Sequence, residues 1–271
     1  MPELPEIEVI KNYLKGILIG KQITKIKILN PNLRYKVPEA INQIQGKKVT
    51  SLHRQSKYLQ IFLDNGLALV IHLAISGRIL KKDLNYHPIK HDHVIFYFND
   101  FTLVYNDARR FGLIDIISKK ELKKHKLFAH LGIEPLNLDV SSLKQMLKKS
   151  KKPIKQFLMD NQRVVGIGNI YANEILFYSK INPHISSHNL SDEQIHTLLK
   201  QIIKILTKSI QLGGSSIRDF MDPAGVKGRF AETFAVYSRS NLPCKLCKTP
   251  IKSGKIQGRS TFFCPLCQNV G

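Results

Sequence analysis

Cys244-Lys245-Leu246-Cys247, then Lys252-Ser253-Gly254-Lys255-Ile256-Gln257-Gly258-Arg259-Ser260-Thr261, then Cys264-Pro265-Leu266-Cys267, decides how the chain ends. Two Cys-x2-Cys pairs separated by sixteen residues have the spacing of a four-cysteine zinc site. Four sulfur ligands leave no coordination position for water, so the expected ion is a single structural Zn2+ holding a short β-hairpin. All four cysteines lie in the last 28 residues. In a reducing compartment that clustering favours metal over disulfides. Two adventitious pairs of free thiols would leave the prolines beside the knuckles and the basic hairpin between them without a reason. Arg259, placed just after a glycine that lets backbone come close, suits a phosphate.

The 271 residues carry 42 Lys and Arg against 20 Asp and Glu, a formal charge of +22. A field of that sign attracts polyanions and makes binding salt-dependent, so nucleic acid is the expected partner. An anionic membrane surface would also answer to charge alone. No run approaches the roughly 20 apolar residues that cross a bilayer, and the N-terminus carries Glu3, Glu6 and Glu8 rather than a basic leader. A cytosolic protein is expected.

Moving toward the N-terminus, the period is helical at 141–149, 153–160, from Asn169, and from Ser191 to Gln211. Ser191 and Gln194 predict a capping box, and Ile195, Leu198, Leu199, Ile202, Leu206 and Ile210 form one apolar stripe. Gly213-Gly214 should end that helix. Ser215 to about Phe230 is too long and irregular for a plain connector and predicts a mobile loop. In Val164-Val165-Gly166-Ile167-Gly168-Asn169-Ile170-Tyr171-Ala172-Asn173-Glu174, two glycines precede a helix that Asn169 could cap, a place suited to an anion and equally to an ordinary tight turn.

The first half reads as strands. Alternation at 23–29 is followed by runs at 47–53, 57–63, 67–73, 93–98, 101–106 and 112–117, with Asp64-Asn65-Gly66 and Asn99-Asp100 as turns. One helix precedes them, with Ile7, Ile10, Leu14 and Ile17 inward and an end at Gly16 or Gly20. A two-layer β-sandwich is expected, closing near the basic stretch 119–126, which reads as the start of a solvated linker or as a charged surface helix.

The chain opens Met1-Pro2-Glu3-Leu4-Pro5-Glu6. Removal of Met1 would expose a secondary amine beside a carboxylate, and an α-amino group titrating near ~8 is partly unprotonated at neutral pH. Such an amine can attack a sugar C1′. Prolines among acids also simply start helices.

Taken with the Gly-x-Gly-Asn-Ile-Tyr turn and the terminal Gln-Gly-Arg hairpin, this opening closely resembles the bacterial formamidopyrimidine-DNA glycosylases over nearly the whole chain. The resemblance implies an α+β multidomain protein: an N-terminal two-layer β-sandwich with flanking helices (1–127), a helix-two-turn-helix domain (128–230) and a β-hairpin zinc finger (231–271). It implies a bifunctional glycosylase and AP lyase of base-excision repair, acting on oxidised purines in damaged double-stranded DNA. It further implies a monomer in the bacterial cytosol, associated with the nucleoid.

On the same resemblance, Pro2 is the Schiff-base nucleophile and Glu3 the acid that protonates the sugar ring oxygen. Lys57 supports catalysis at a phosphate, and His72, Asn169 and Arg259 hold phosphates with it. Arg109 and Phe111 fill the gap left by the everted nucleotide together with Ile75, where the family usually has the more adaptable Met. Lys155 and Tyr237 fall at positions near DNA, residues 215–228 cap the lesion, and Cys244, Cys247, Cys264 and Cys267 hold the zinc. Two other readings fit less: an endonuclease VIII-like enzyme for oxidised pyrimidines, against which Leu4 speaks because that branch commonly has Gly there, and a non-catalytic zinc-containing DNA-binding protein.

Overall fold

The computed structural model describes residues 2–217 and 220–269. Among them, two compact units form: residues 1–129 with 212–231, and residues 130–211 with 232–271.

In the first unit, α1 (Leu4–Leu18) is an amphipathic helix started by Pro5 in its first turn. It buries Ile7, Ile10, Leu14 and Leu18 and runs through Gly16, ending before the left-handed Gly20. Eight strands follow: β1 (Lys25–Ile28), β2 (Val49–Gln55), β3 (Tyr58–Leu63), β4 (Leu67–His72), β5 (Gly77–Lys82), β6 (Asp92–Tyr97), β7 (Thr102–Asp107) and β8 (Leu113–Ser118). They make two antiparallel four-stranded sheets, ordered β1-β6-β7-β5 and β2-β3-β4-β8. One core joins Ile61, Leu69 and Ile71 of one sheet to Ile79, Phe96, Leu103 and Tyr105 of the other, with Leu14 and Leu18 of α1 beside them. This is the expected sandwich.

Strand β5 is not among the runs predicted from sequence. Its Gly-Arg-Ile-Leu-Lys-Lys has two apolar residues, and only Gly77 and Ile79 are buried, so pairing with β7 rather than local pattern makes it a strand. The basic stretch 119–126 is neither a free linker nor a full helix: it holds one 3-10 turn at Leu122–Lys124, and Leu122 and Phe128 are buried.

Segment 212–231 clusters with the sandwich. Its neck closes through Arg229 N–H to Leu212 O (2.8 Å) and Phe230 N–H to Gly214 O (3.0 Å). Glycine is required at 228, where a Cβ would lie 2.2 Å from Gly213 O. Farther out, Phe220 packs on the sandwich core and Lys81 N–H donates to Pro223 O at 2.8 Å. Arg218 and Asp219, within the stretch expected to cap a lesion, lie outside the described residues.

In the second unit, α2 (Val140–Lys148), α3 (Ile154–Leu158), α4 (Asn169–Tyr178) and α5 (Asp192–Gln211) form the helical domain, and β9 (Lys252–Ile256) pairs with β10 (Arg259–Phe263). The capping box of α5 is present: Ser191 N–H donates to Gln194 Oε1 and Gln194 N–H to Ser191 Oγ. Gly213 and Gly214, both left-handed, follow its end. No helix among the described residues is long and apolar enough to cross a membrane.

Candidate nucleic-acid site and zinc centre

In the first unit, Pro2 and Glu3 are buried at the start of α1. Glu6, itself 1% exposed, reaches back to accept the Glu3 N–H at 2.8 Å. Its other oxygen accepts both the N–H (2.7 Å) and the Oγ–H (2.9 Å) of Ser215, at the neck of the 212–231 segment. One carboxylate therefore joins the proposed catalytic terminus to the root of the proposed capping loop. Glu8 pairs with Lys11 within α1 and fixes the helix to β2 through Arg54 Nε at 2.8 Å.

Lys57 sits with left-handed Ser56 in the two-residue turn between β2 and β3. His72 ends β4, in register with Tyr58, and the two rings lie 4.7 Å apart. Burial, with the Lys57 and Arg34 cations nearby, pushes the His72 imidazole down to about 4. His72 is thus uncharged at neutral pH and would meet a phosphate as an N–H donor or gain its proton on binding.

Ile75 lies between β4 and β5, and Arg109 and Phe111 between β7 and β8. Ile75 is 42% and Phe111 45% exposed, and the Arg109 guanidinium stacks 4.6 Å from the Phe111 ring centroid. Large apolar groups held out in solvent suit insertion into a base stack.

In the second unit, Asn169 does not cap α4. The N-cap is Gly168, and Asn169 is the first helical residue, its Oδ1 buried with no partner among the described residues. Gly168 takes the extended cap geometry itself, so the helix begins one residue earlier than a cap at Asn169 would place it. The amide remains half-buried at the helix N-terminus.

Arg259 is exposed and follows the left-handed Gln257-Gly258 pair of a tight hairpin turn. With Lys152, Gln156, Gln162 and Ile256 it lines a cleft of about 550 Å3 between α3 and the hairpin. Lys155, expected near DNA, is fully buried and donates to Ser260 O (2.6 Å) and Thr261 Oγ1 (2.8 Å). Its ammonium ties α3 to the hairpin, and the residue also borders the cleft that Arg259 lines.

Asn173 and Glu174, quoted in the turn motif without a role, add further links. Asn173 Oδ1 accepts Phe262 N–H at 2.7 Å, and buried Glu174 accepts the N–H groups of Ala235, Val236 and Tyr237. Burial pushes the Glu174 carboxyl up, opposed by those three donors. Tyr237 is half-buried, its ring edge-on to Phe234 and Phe262.

The four cysteine sulfurs lie within 4.8 Å of one another, with Cys247–Cys264 at 3.4 Å and Cys244–Cys267 at 3.9 Å. Tetrahedral zinc with Zn–S near 2.3 Å places sulfurs about 3.8 Å apart. Both knuckles aim amides at sulfur, Leu246 N–H at Cys244 Sγ and Cys267 N–H at Cys264 Sγ, each 3.4 Å, which suits thiolates. The donor set fits one structural Zn2+, and the cysteines pack on Phe177 of α4.

Residues 1–114 match the formamidopyrimidine-DNA glycosylase N-terminal domain, 131–221 the formamidopyrimidine-DNA glycosylase H2TH domain, and 241–270 the zinc finger found in FPG and IleRS. The chain belongs to the formamidopyrimidine-DNA glycosylase family. It is 42% identical to the formamidopyrimidine-DNA glycosylase of Legionella pneumophila over 100% of this chain and 99% of that one. To that of Wolbachia pipientis it is 40% identical over 99% and 100%. A crystal structure of a mutant Lactococcus lactis family member with Fapy-dG-containing DNA matches with a TM-score of 0.93 and 33% identity, covering 99% of this chain and 100% of that one. The same Lactococcus lactis protein with abasic-site DNA gives 0.92 and 34%, with the same coverage.

Beyond the expected residues, the structure shows buried polar contacts made by Glu6, Asn173 and Glu174. A signal for the acids exists in the sequence: carboxylates beside motif residues in a strongly basic chain have a local reason to be there.

Proposed function

We propose that this protein is a bifunctional DNA glycosylase and AP lyase of base-excision repair, removing 8-oxoguanine and formamidopyrimidines from duplex DNA. The observation that carries the reading is the full-length family match of a chain in which Pro2-Glu3 immediately precedes the first helix, with solved relatives bound to Fapy-dG and abasic-site DNA. The protein acts as a monomer in the bacterial cytosol.

Once Met1 is removed, the Pro2 nitrogen attacks C1′ of the everted nucleotide while Glu3 protonates the ring oxygen. The C1′–O4′ bond breaks as O4′ takes the Glu3 proton and becomes a hydroxyl, the C1′–N9 bond breaks as the base leaves with the proton given up by the Pro2 nitrogen, and the resulting iminium carries the strand through β- and δ-elimination. Eversion is needed because C1′ is unreachable inside the stack. Ile75, Arg109 and Phe111 fill the vacated space, and Lys57, His72, Asn169 and Arg259 hold the backbone. Tyr237 lies beside the hairpin that presents Arg259. The functional division runs 1–127, 128–230 and 231–271, with 215–228 as the lesion cap. Zinc, held by Cys244, Cys247, Cys264 and Cys267, fixes the hairpin and takes no part in chemistry.

The test compares nicking and borohydride trapping on duplexes holding 8-oxoguanine opposite cytosine with those holding thymine glycol. Preference for the purine supports the proposal. Preference for thymine glycol favours the pyrimidine-specific reading, and binding without any trapped adduct favours a non-catalytic protein.

A further inference from the structure

We propose that Asp107 is the positioning residue for strand insertion, holding Ile75, Arg109 and Phe111 in one arrangement; the inference rests on the DNA glycosylase reading above. Asp107 ends β7 and is fully buried. Its Oδ1 accepts Ser76 Oγ–H at 2.5 Å and Arg109 N–H at 3.2 Å, and its Oδ2 accepts Gly112 N–H at 2.8 Å and Tyr105 O–H at 3.3 Å. Each inserting side chain is therefore on, or next to, a residue this carboxylate grips. Ile75 precedes Ser76, Arg109 is gripped directly, and Phe111 precedes Gly112.

The two loops need such an anchor. Ala74 (φ 50°) and Arg110 (φ 56°) are non-glycine residues in left-handed conformation, one in each loop, and such backbone persists only where its surroundings over-determine it. Local bonds supply part of this: Gly77 N–H to Leu73 O at 2.9 Å in the first loop and Arg110 N–H to Asp107 O at 3.3 Å in the second. The sheet ladders join the loops at their ends, Gly77 with Asp107 and His72 with Leu113; between those ends the link runs through the carboxylate and Ser76 Oγ, which also accepts Arg109 N–H at 3.1 Å. Position 112 requires glycine, since a Cβ there would lie 1.7 Å from Tyr105 Oη, the group that shares Oδ2. His93, buried beneath, fixes the Asp107 main chain by donating from Nε2 to its carbonyl at 2.8 Å. A side chain that accepts from four donors at once must be a carboxylate, because an amide has one acceptor oxygen.

The consequence is a separation of functions. Filling the stack requires both loops in register, whereas Schiff-base formation on an abasic site that is already accessible does not. Asp107→Asn and Ser76→Ala, which removes both bonds of Ser76 Oγ but leaves the carboxylate with its other three donors, are compared with wild type in three assays. These are excision of 8-oxoguanine opposite cytosine and opposite adenine, fluorescence of 2-aminopurine beside the orphaned base, and borohydride trapping on single-stranded abasic DNA. Asp107→Asn is expected to slow duplex excision about tenfold, to narrow the cytosine-to-adenine ratio and to weaken the fluorescence change. Single-stranded trapping should stay within about twofold of wild type, and Ser76→Ala should lie between the two. Equal losses in all three assays, or an unaltered opposite-base ratio in both variants, overturn the proposal. Absence of trapping by wild type itself would instead overturn the glycosylase reading.

Discussion

The Glu6 carboxylate accepts the backbone N–H of Ser215 at 2.7 Å across 209 residues of sequence, while its second oxygen accepts the N–H of Glu3. The start of the first helix and the neck of the 212–231 segment are thus set by the same side chain.

Glu6→Gln keeps the shape and removes one acceptor oxygen, leaving a buried N–H group without its partner. A loss of about 1–3 kcal/mol is expected. Chemical denaturation should show it, with a fall in excision larger than the fall in abasic-site binding.

His72, held down to about 4 by burial and by Lys57 and Arg34, binds its proton more readily unfolded, where about 6.5 is normal. Unfolding therefore takes up a proton between those values, and stability falls as pH drops through that window. Over the full window the cost is about 3 kcal/mol. His72→Gln should lack this part of the acid loss, so denaturation curves at pH 7 and pH 4.5 should differ less for the variant. If phosphate is the partner, duplex binding should raise the His72 value, observable by NMR.

Lys155→Met deprives Ser260 O and Thr261 Oγ1 of their buried donor at a cost of about 2 kcal/mol. DNA affinity should fall while zinc stays at one per chain. Arg259→Ala should weaken binding without destabilising the fold and lower the salt-dependence slope by about one. Loss of zinc in the Arg259 variant would assign that residue to folding.

Chelation, or Cys264→Ser, should remove the ion and the hairpin's order together. Zinc analysis, circular dichroism and DNA binding should change in step. The sandwich, whose core contains none of the four cysteines, should remain folded.

How much of this was legible in sequence follows physical lines. Patterns that one element satisfies alone were readable: the apolar stripe of α5 with its capping box, the strand-like runs of β2 to β4, and the cysteine spacing. Features settled by distant partners were not. Strand β5 exists because β7 pairs with it, and a lysine as polar in composition as any other is buried at 155 because a hairpin 105 residues away supplies its acceptors. Asn169 was misplaced by one position because the glycine before it takes the extended N-cap geometry itself. Glu6 stands inside the opening motif and Asp107 two residues before Arg109, yet their importance lies in which backbone amides converge on them, and only the folded chain brings those together.

The central claim is that the Pro2 amine is the nucleophile. Protein incubated with 8-oxoguanine duplex and borohydride should be digested and mapped by mass spectrometry, alongside the intact mass of untreated protein. The account predicts a chain lacking Met1 and a reduced sugar adduct on the Pro2 nitrogen. An adduct on a lysine such as Lys57, or full activity from a chain that retains Met1, would contradict it.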